Sequence, residues 1–307
     1  MSSTQYPFSF GSFDYFCSQL SLTLCPLVST NTLGGGVEAS CYSRNIQLGG
    51  DPGILIFEPA VLIIHLVALI MTGIMIYHIR SKYTAVGRKE IVMFFYMYAF
   101  TTIFEFLLVS GIIASSSFLY QYFVAGYIGL GVATMFCLLC NGFVGFQWAE
   151  DGTPQSLWSI RIATFVVFAI TMFVALATFL GIGPFNSASP IGLFIVYFVF
   201  SVACVFIYYV LQIILVVKTL EDKWPIGDIT VGFLFFAAGQ VCQYIFSIQI
   251  CNLAQHYIDG MFFGVICTLL GVMMVYKFWD SITKEDLEFS VTGKSSVWDG
   301  NGENDIY

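Results

Sequence analysis

The chain has 307 residues, of which 58 % are apolar and only 10 % charged, with 32 phenylalanines and a net charge of −8. A water-soluble domain is nearer a quarter charged, so this chain has too few polar residues to cover a water-facing surface. Eleven scattered basic residues also argue against nucleic acid as a partner, and the expected solvent is the lipid bilayer.

Residues 1–53 come first, a mostly polar segment carrying Cys17, Cys25 and Cys41. It lacks the basic n-region and clean apolar h-region of a cleavable signal peptide, so the first membrane helix is expected to act as its own targeting signal. A spanning helix needs about 20 mostly apolar residues. Seven stretches qualify, at 54–77, 91–114, 118–143, 158–181, 190–217, 229–251 and 257–277. The expected fold is therefore an all-α, seven-helix transmembrane bundle over 54–277, with an acidic tail at 278–307.

The link after the first span reads "YHIRSKYTAVGRKE" and crowds four basic residues into a chain that otherwise uses charge sparingly. Topology accounts for the crowding. With seven spans, Arg80, Lys82, Arg88, Lys89, Arg161, Lys218, Lys223, Lys277, Lys284 and Lys294 fall on one side, and Arg44 alone on the other. The positive-inside rule places the basic side in the cytosol. The N-terminus is then lumenal or extracellular and the C-terminus cytosolic. Trp148, Trp158 and Trp224 fall on the cytosolic side, where interfacial anchors belong.

Five of the nine cysteines lie within spans, where a thiol acts as a small hydrophobe. Cys17, Cys25, Cys41 and Cys251 share the non-cytosolic side, where disulfides persist. Four cysteines allow three pairings. Cys17–Cys25 with Cys41–Cys251 is favoured, the reduced state being the alternative.

Ionisable groups in spans are costly and suggest function by default. Glu58 and His65 lie on one face of the first span, Glu105 lies deep in the second, and His256 and Asp259 open the seventh. A structural polar cluster is the preferred reading of all five. Ala125, Gly129 and Ala133 form a small-residue stripe, and Gln240, Gln243 and Ser247 a polar one. Both suit close helix packing, within the bundle before any partner. No metal ligand set, cofactor motif or catalytic constellation stands out, and no enzyme is expected. The tail holds acid-x-acid triplets at Asp286–Glu288 and Glu303–Asp305, of the kind read as export signals by vesicle coats; a merely solvated, mostly disordered tail is the simpler reading.

Five segments then stand in order: "YTAVGRKE" (83–90), "WAEDGTPQS" (148–156), "FFAAGQV" (235–241), "HYIDGMFFG" (256–264) and "MMVYKFWDSITKEDLEF" (273–289). Together they resemble the fungal chitin synthase export chaperone family, across all seven spans and the early tail. The resemblance implies a multi-pass endoplasmic reticulum protein whose client is the chitin synthase catalytic subunit, with no enzyme activity and no cofactor. Whether it accompanies the client to the plasma membrane stays open. Tyr83, Arg88, Lys89, Glu150, Asp151 and Gly152 are the expected partner contacts, and Asp286 and Glu288 the expected export signal toward coat machinery. A seven-span transporter or receptor for a small molecule is the alternative. It requires a polar cavity at mid-membrane around Glu105 and His65.

Overall fold

The computed structural model describes residues 8–28, 36–37, 39–41, 43–48, 54–83, 85, 87–146, 152–220 and 222–295. Among them, seven helical stretches are long and apolar enough to cross a membrane. They are α2 (Pro59–Ser81), α3 (Arg88–Val109), α4 (Tyr120–Val144), α5 (Pro154–Leu180), a continuous stretch at Ile191–Thr219, α8 (Pro225–Tyr244) and α10 (Gly260–Ser295). The fifth stretch comprises α6 (Ile191–Phe194), a π-helical turn at Ile195–Phe200, and α7 (Ser201–Thr219). Two short helices, α1 (Asp14–Gln19) and α9 (Ser247–Leu253), and an antiparallel hairpin of β1 (Ile46–Leu48) with β2 (Ile54–Ile56) complete the described elements.

Local chemistry sets where the helices begin. Pro59, Pro154 and Pro225 each stand in the first turn, where the missing N–H costs nothing. Thr153 caps α5 by accepting the Ser156 N–H, and Gly181 ends it in the left-handed conformation.

The observed boundaries depart from the sequence reading at several places, the second span ending at Val109 rather than 114 and the sixth starting at Pro225 rather than 229. Residues 54–56 pair as β2, so the first span starts only at Pro59. The sixth stretch breaks at Ile245–Phe246, and α9 carries Ser247 and Cys251 as a separate element. The last helix runs on past 277 to Ser295. Apolarity alone marks the hydrocarbon depth a segment can occupy; it does not mark where the backbone ladder starts or breaks.

Apolar side chains cover the outside of the bundle as well as fill its core. Ile63 and Ile70 on α2, Phe165 and Phe173 on α5, and Phe206 on α7 face outward. His65, Thr72, Thr102, Thr134 and Gln212 are buried inside. The threonine hydroxyls are satisfied locally, each donating to the carbonyl four residues back: Thr72 to Ala68, Thr102 to Tyr98 and Thr134 to Leu130.

Small residues let the helices close on one another. On α4, Ala125 and Ala133 are fully buried, and Gly129 lies so close to Phe168 of α5 that an added Cβ would sit 3.1 Å from its ring. The tightest approach joins α8 to α10. A Cβ at Gly239 would lie 2.8 Å from Cys267 Cβ, and one at Gly271 would lie 3.2 Å from the Gly232 carbonyl. Gly232 and Gly239 face Gly271 and Gly264, two glycine pairs at seven-residue spacing that bring the two backbones together.

Candidate functional site

The polar side chains gather at three levels of the bundle. At one end, α1 lies against the start of the fifth span, with Phe13 packed on Phe194 and Phe16 stacked on Phe198 at 4.7 Å. The structure joins Cys17 to Cys25 and Cys41 to Cys251, the second bond tying the N-terminal segment to α9 across 210 residues of sequence. His256 closes over that bond, its Nδ1 3.2 Å from Cys41 Sγ and 3.6 Å from Cys251 Sγ. The carbonyl of His256 accepts the Arg44 N–H at 2.7 Å. These three side chains have the spacing of a metal-ligand set. With the two sulfurs bonded to each other, however, neither offers the thiolate that a metal requires.

Glu58 and Asp259 sit at the same end, just before α2 and α10. Asp259 is fully buried and accepts the Phe262 N–H through Oδ1. Its Oδ2 and Glu58 Oε2 have no hydrogen-bond partner among the described residues. Burial first, and the neighbouring Asp259 second, push the Glu58 carboxyl up to about 8. Burial pushes Asp259 up as well, against backbone N–H groups that pull it down. The Glu58 carboxyl therefore keeps its proton at neutral pH. Glu58 also occupies the left-handed region at φ 42°, an uncommon conformation for a residue with a side chain.

At mid-bundle lies a cavity of about 160 Å³ lined by side chains from α2, α3, α4, α8, α10 and the fifth span. His65 and Glu105 meet here, Nε2 to Oε2 at 3.2 Å but off the hydrogen-bonding line. The other ring nitrogen of His65 lies 2.8 Å from the Val61 carbonyl. A carbonyl only accepts, so Nδ1 carries a proton. Nε2 then faces the Glu105 carboxyl. Gln240, Gln243, Tyr127 and Ser201 face the same space, and Gln243 folds over Gly264, where an added Cβ would lie against its carboxamide. Ser247 stands apart from this pair on α9, where its hydroxyl accepts the Gly260 N–H.

At the opposite end the basic link is clamped rather than free. Glu90 is 1 % exposed and accepts the Gly152 N–H at 2.9 Å and the Ser156 hydroxyl at 3.3 Å. Lys89 Nζ donates to the Gly152 carbonyl, and Arg88 to that of Arg80. Lys82 pairs with Asp280, and Lys277 with Asp228 at 2.9 Å. Of the expected partner contacts, Lys89 and Gly152 are thus brought together. Tyr83 is exposed under the Arg88 guanidinium, and Glu150 and Asp151 lie outside the described residues. Asp286 and Glu288 fall on the continuation of α10. Sequence reasoning missed Glu90, although an acid closing the basic run "GRKE" was the available signal.

A family model described as chitin synthase export chaperone matches residues 9–293. The chain is 51 % identical over 295 residues to a chitin synthase export chaperone of Cryptococcus neoformans, covering 95 % of this chain and 80 % of that one. It is 50 % identical over 296 residues to one of Fusarium oxysporum, covering 94 % and 87 %. With one of Neurospora crassa it shares 48 % over 297 residues, covering 94 % and 81 %. No solved structure matches the chain.

Proposed function

The chain belongs to the chitin synthase export chaperone family and serves in the export of chitin synthase; from that premise we propose that it acts within the endoplasmic reticulum membrane, on the multi-pass catalytic subunit of the synthase. The one observation that carries this reading is that the family match runs through the whole seven-helix body rather than one loop. The work is then done by the bundle. A synthase that passes a polar polymer through lipid carries polar groups on its helices, and before assembly those groups lack partners in hydrocarbon. A bundle with polar side chains in its interior can supply partners until the client has folded.

In the proposed orientation the disulfide end is lumenal and the basic end cytosolic. The ten-to-one division of Lys and Arg supports it, as do the two bonded cysteine pairs. We read the protein as having no catalytic activity of its own. On the cytosolic side, the clamped links and the α10 extension with Asp286 and Glu288 are the surface offered to coat machinery.

The mid-bundle cavity around His65 and Glu105 is also what a small-molecule transporter would need. Against that reading, rings roof the cavity toward the disulfide end: Phe198 lies 5.2 Å from Tyr244, and Phe16 5.5 Å from the same ring. Toward the other end lies the buried cluster of Phe94, Phe95 and Leu138. The function is tested by deleting the gene and imaging the synthase. Retention of the synthase in the endoplasmic reticulum is expected, and normal delivery to the cell surface would refute the proposal.

A further inference from the structure

The cavity at mid-bundle has polar groups that the fold leaves unused. Gln240 and Gln243 line it, and neither side-chain amide has a hydrogen-bond partner among the described residues. His65 is fully buried, and its Nε2 faces Glu105 without a well-aligned hydrogen bond. Lipid supplies no partner at this depth, so these groups call for an occupant that does.

The way in is lateral. Rings roof the cavity toward the disulfide end, and toward the other end its lining gives way to apolar side chains. Val202, at the start of α7, both lines the cavity and is 55 % exposed on the outside of the bundle. It stands two residues after the π-helical turn, a distortion that frequently marks functional positions. Phe236 and Gln240 of α8 line the same space. Further along, Tyr209 stacks on Phe233 at 4.5 Å between α7 and α8, where both line a second, apolar cavity.

We propose that this cavity receives the polar end of a side chain carried by a transmembrane helix of the client, entering from the lipid beside Val202. Three features select that occupant. A lateral opening at mid-membrane is reached by groups held at that depth, and lipid headgroups are held at the interface instead. The volume of about 160 Å³ matches roughly five waters, enough for the end of one long side chain. His65 and Glu105 already face each other, so neither stands alone awaiting a charged partner. An uncharged hydrogen-bonding side chain fits, and a carboxamide best, since Gln240 and Gln243 both donate and accept.

The inference rests on the export function proposed above and deepens it. The test places a photoreactive benzoylphenylalanine at Val202, or at Ile170 on the outer face of α5, in the full-length protein in its native membrane. An adduct with the synthase from position 202 and none above background from position 170 is the expected result. Equal adducts from both positions, or lipid adducts alone from 202, overturn the proposal. In parallel, a Gln240→Leu/Gln243→Leu variant is expected to recover about fivefold to tenfold less synthase at an unchanged level of the protein itself. Undiminished recovery overturns the proposal. Normal surface delivery of the synthase in cells lacking the gene would instead refute the export function, so the two failures are distinct.

Discussion

Glu58 is where burial and chemistry conflict most openly. Its carboxyl, held near 8 by burial and by Asp259, keeps its proton at a pH where the unfolded chain has released it. The folded state therefore binds more protons than the unfolded state between the ordinary carboxyl range and about 8. Stability falls as pH rises through that window and is restored below it. Glu58→Gln supplies a permanently neutral side chain of the same shape. In detergent it should raise the melting temperature at pH 8 by about 2–4 °C for each kcal/mol recovered, with no gain at pH 5. An equal gain at both pH values would mean that a feature other than the ionisation of Glu58 limits the stability of this end. The sequence placed Glu58 and Asp259 near one boundary but did not bring them together. Their approach depends on how the entries of α2 and α10 meet, a tertiary fact with no local signature.

At the scale of elements, the clamp between the entry to α3 and the entry to α5 turns the most charged link of the chain into structure. The buried Glu90 carboxylate takes one N–H from Gly152 and one hydroxyl from Ser156, and Lys89 closes the same contact from outside. Glu90→Ala would strand those donors. It should cost about 1–3 kcal/mol, measurable as a lowered thermal midpoint, and should expose the "EDGTPQS" link to proteolysis first. A midpoint within error of the parent would show the clamp to be incidental.

The elements themselves were largely legible. Lipid demands a minimum apolar length, and seven stretches met it. Gln240 and Gln243 were legible as a pair because amides at membrane depth are rare and need partners. The break at Ile245–Phe246, which separates Ser247 from that pair, was not legible, since both sides of it are apolar. The α8–α10 contact was also overlooked, although Gly232 and Gly239 facing Gly264 and Gly271 wrote it as a seven-residue repeat on both helices.

For the whole molecule, the distribution of polarity carries the functional account. Apolar faces turn toward lipid, a disulfide-bonded segment and an ion-paired one stand at the two ends, and the unspent hydrogen-bonding capacity lies between them, beside the proposed lateral entry at Val202. With its polar space entered from lipid, as proposed, such a molecule suits the shielding of another membrane protein better than the moving of a solute. The central claim is that this shielding keeps the synthase from aggregating before export. Native-gel separation of endoplasmic reticulum membranes, probed for the synthase with and without this protein, tests it most directly. The account predicts a discrete complex when the protein is present and high-mass aggregates when it is absent. A synthase of the same discrete size in both would contradict it.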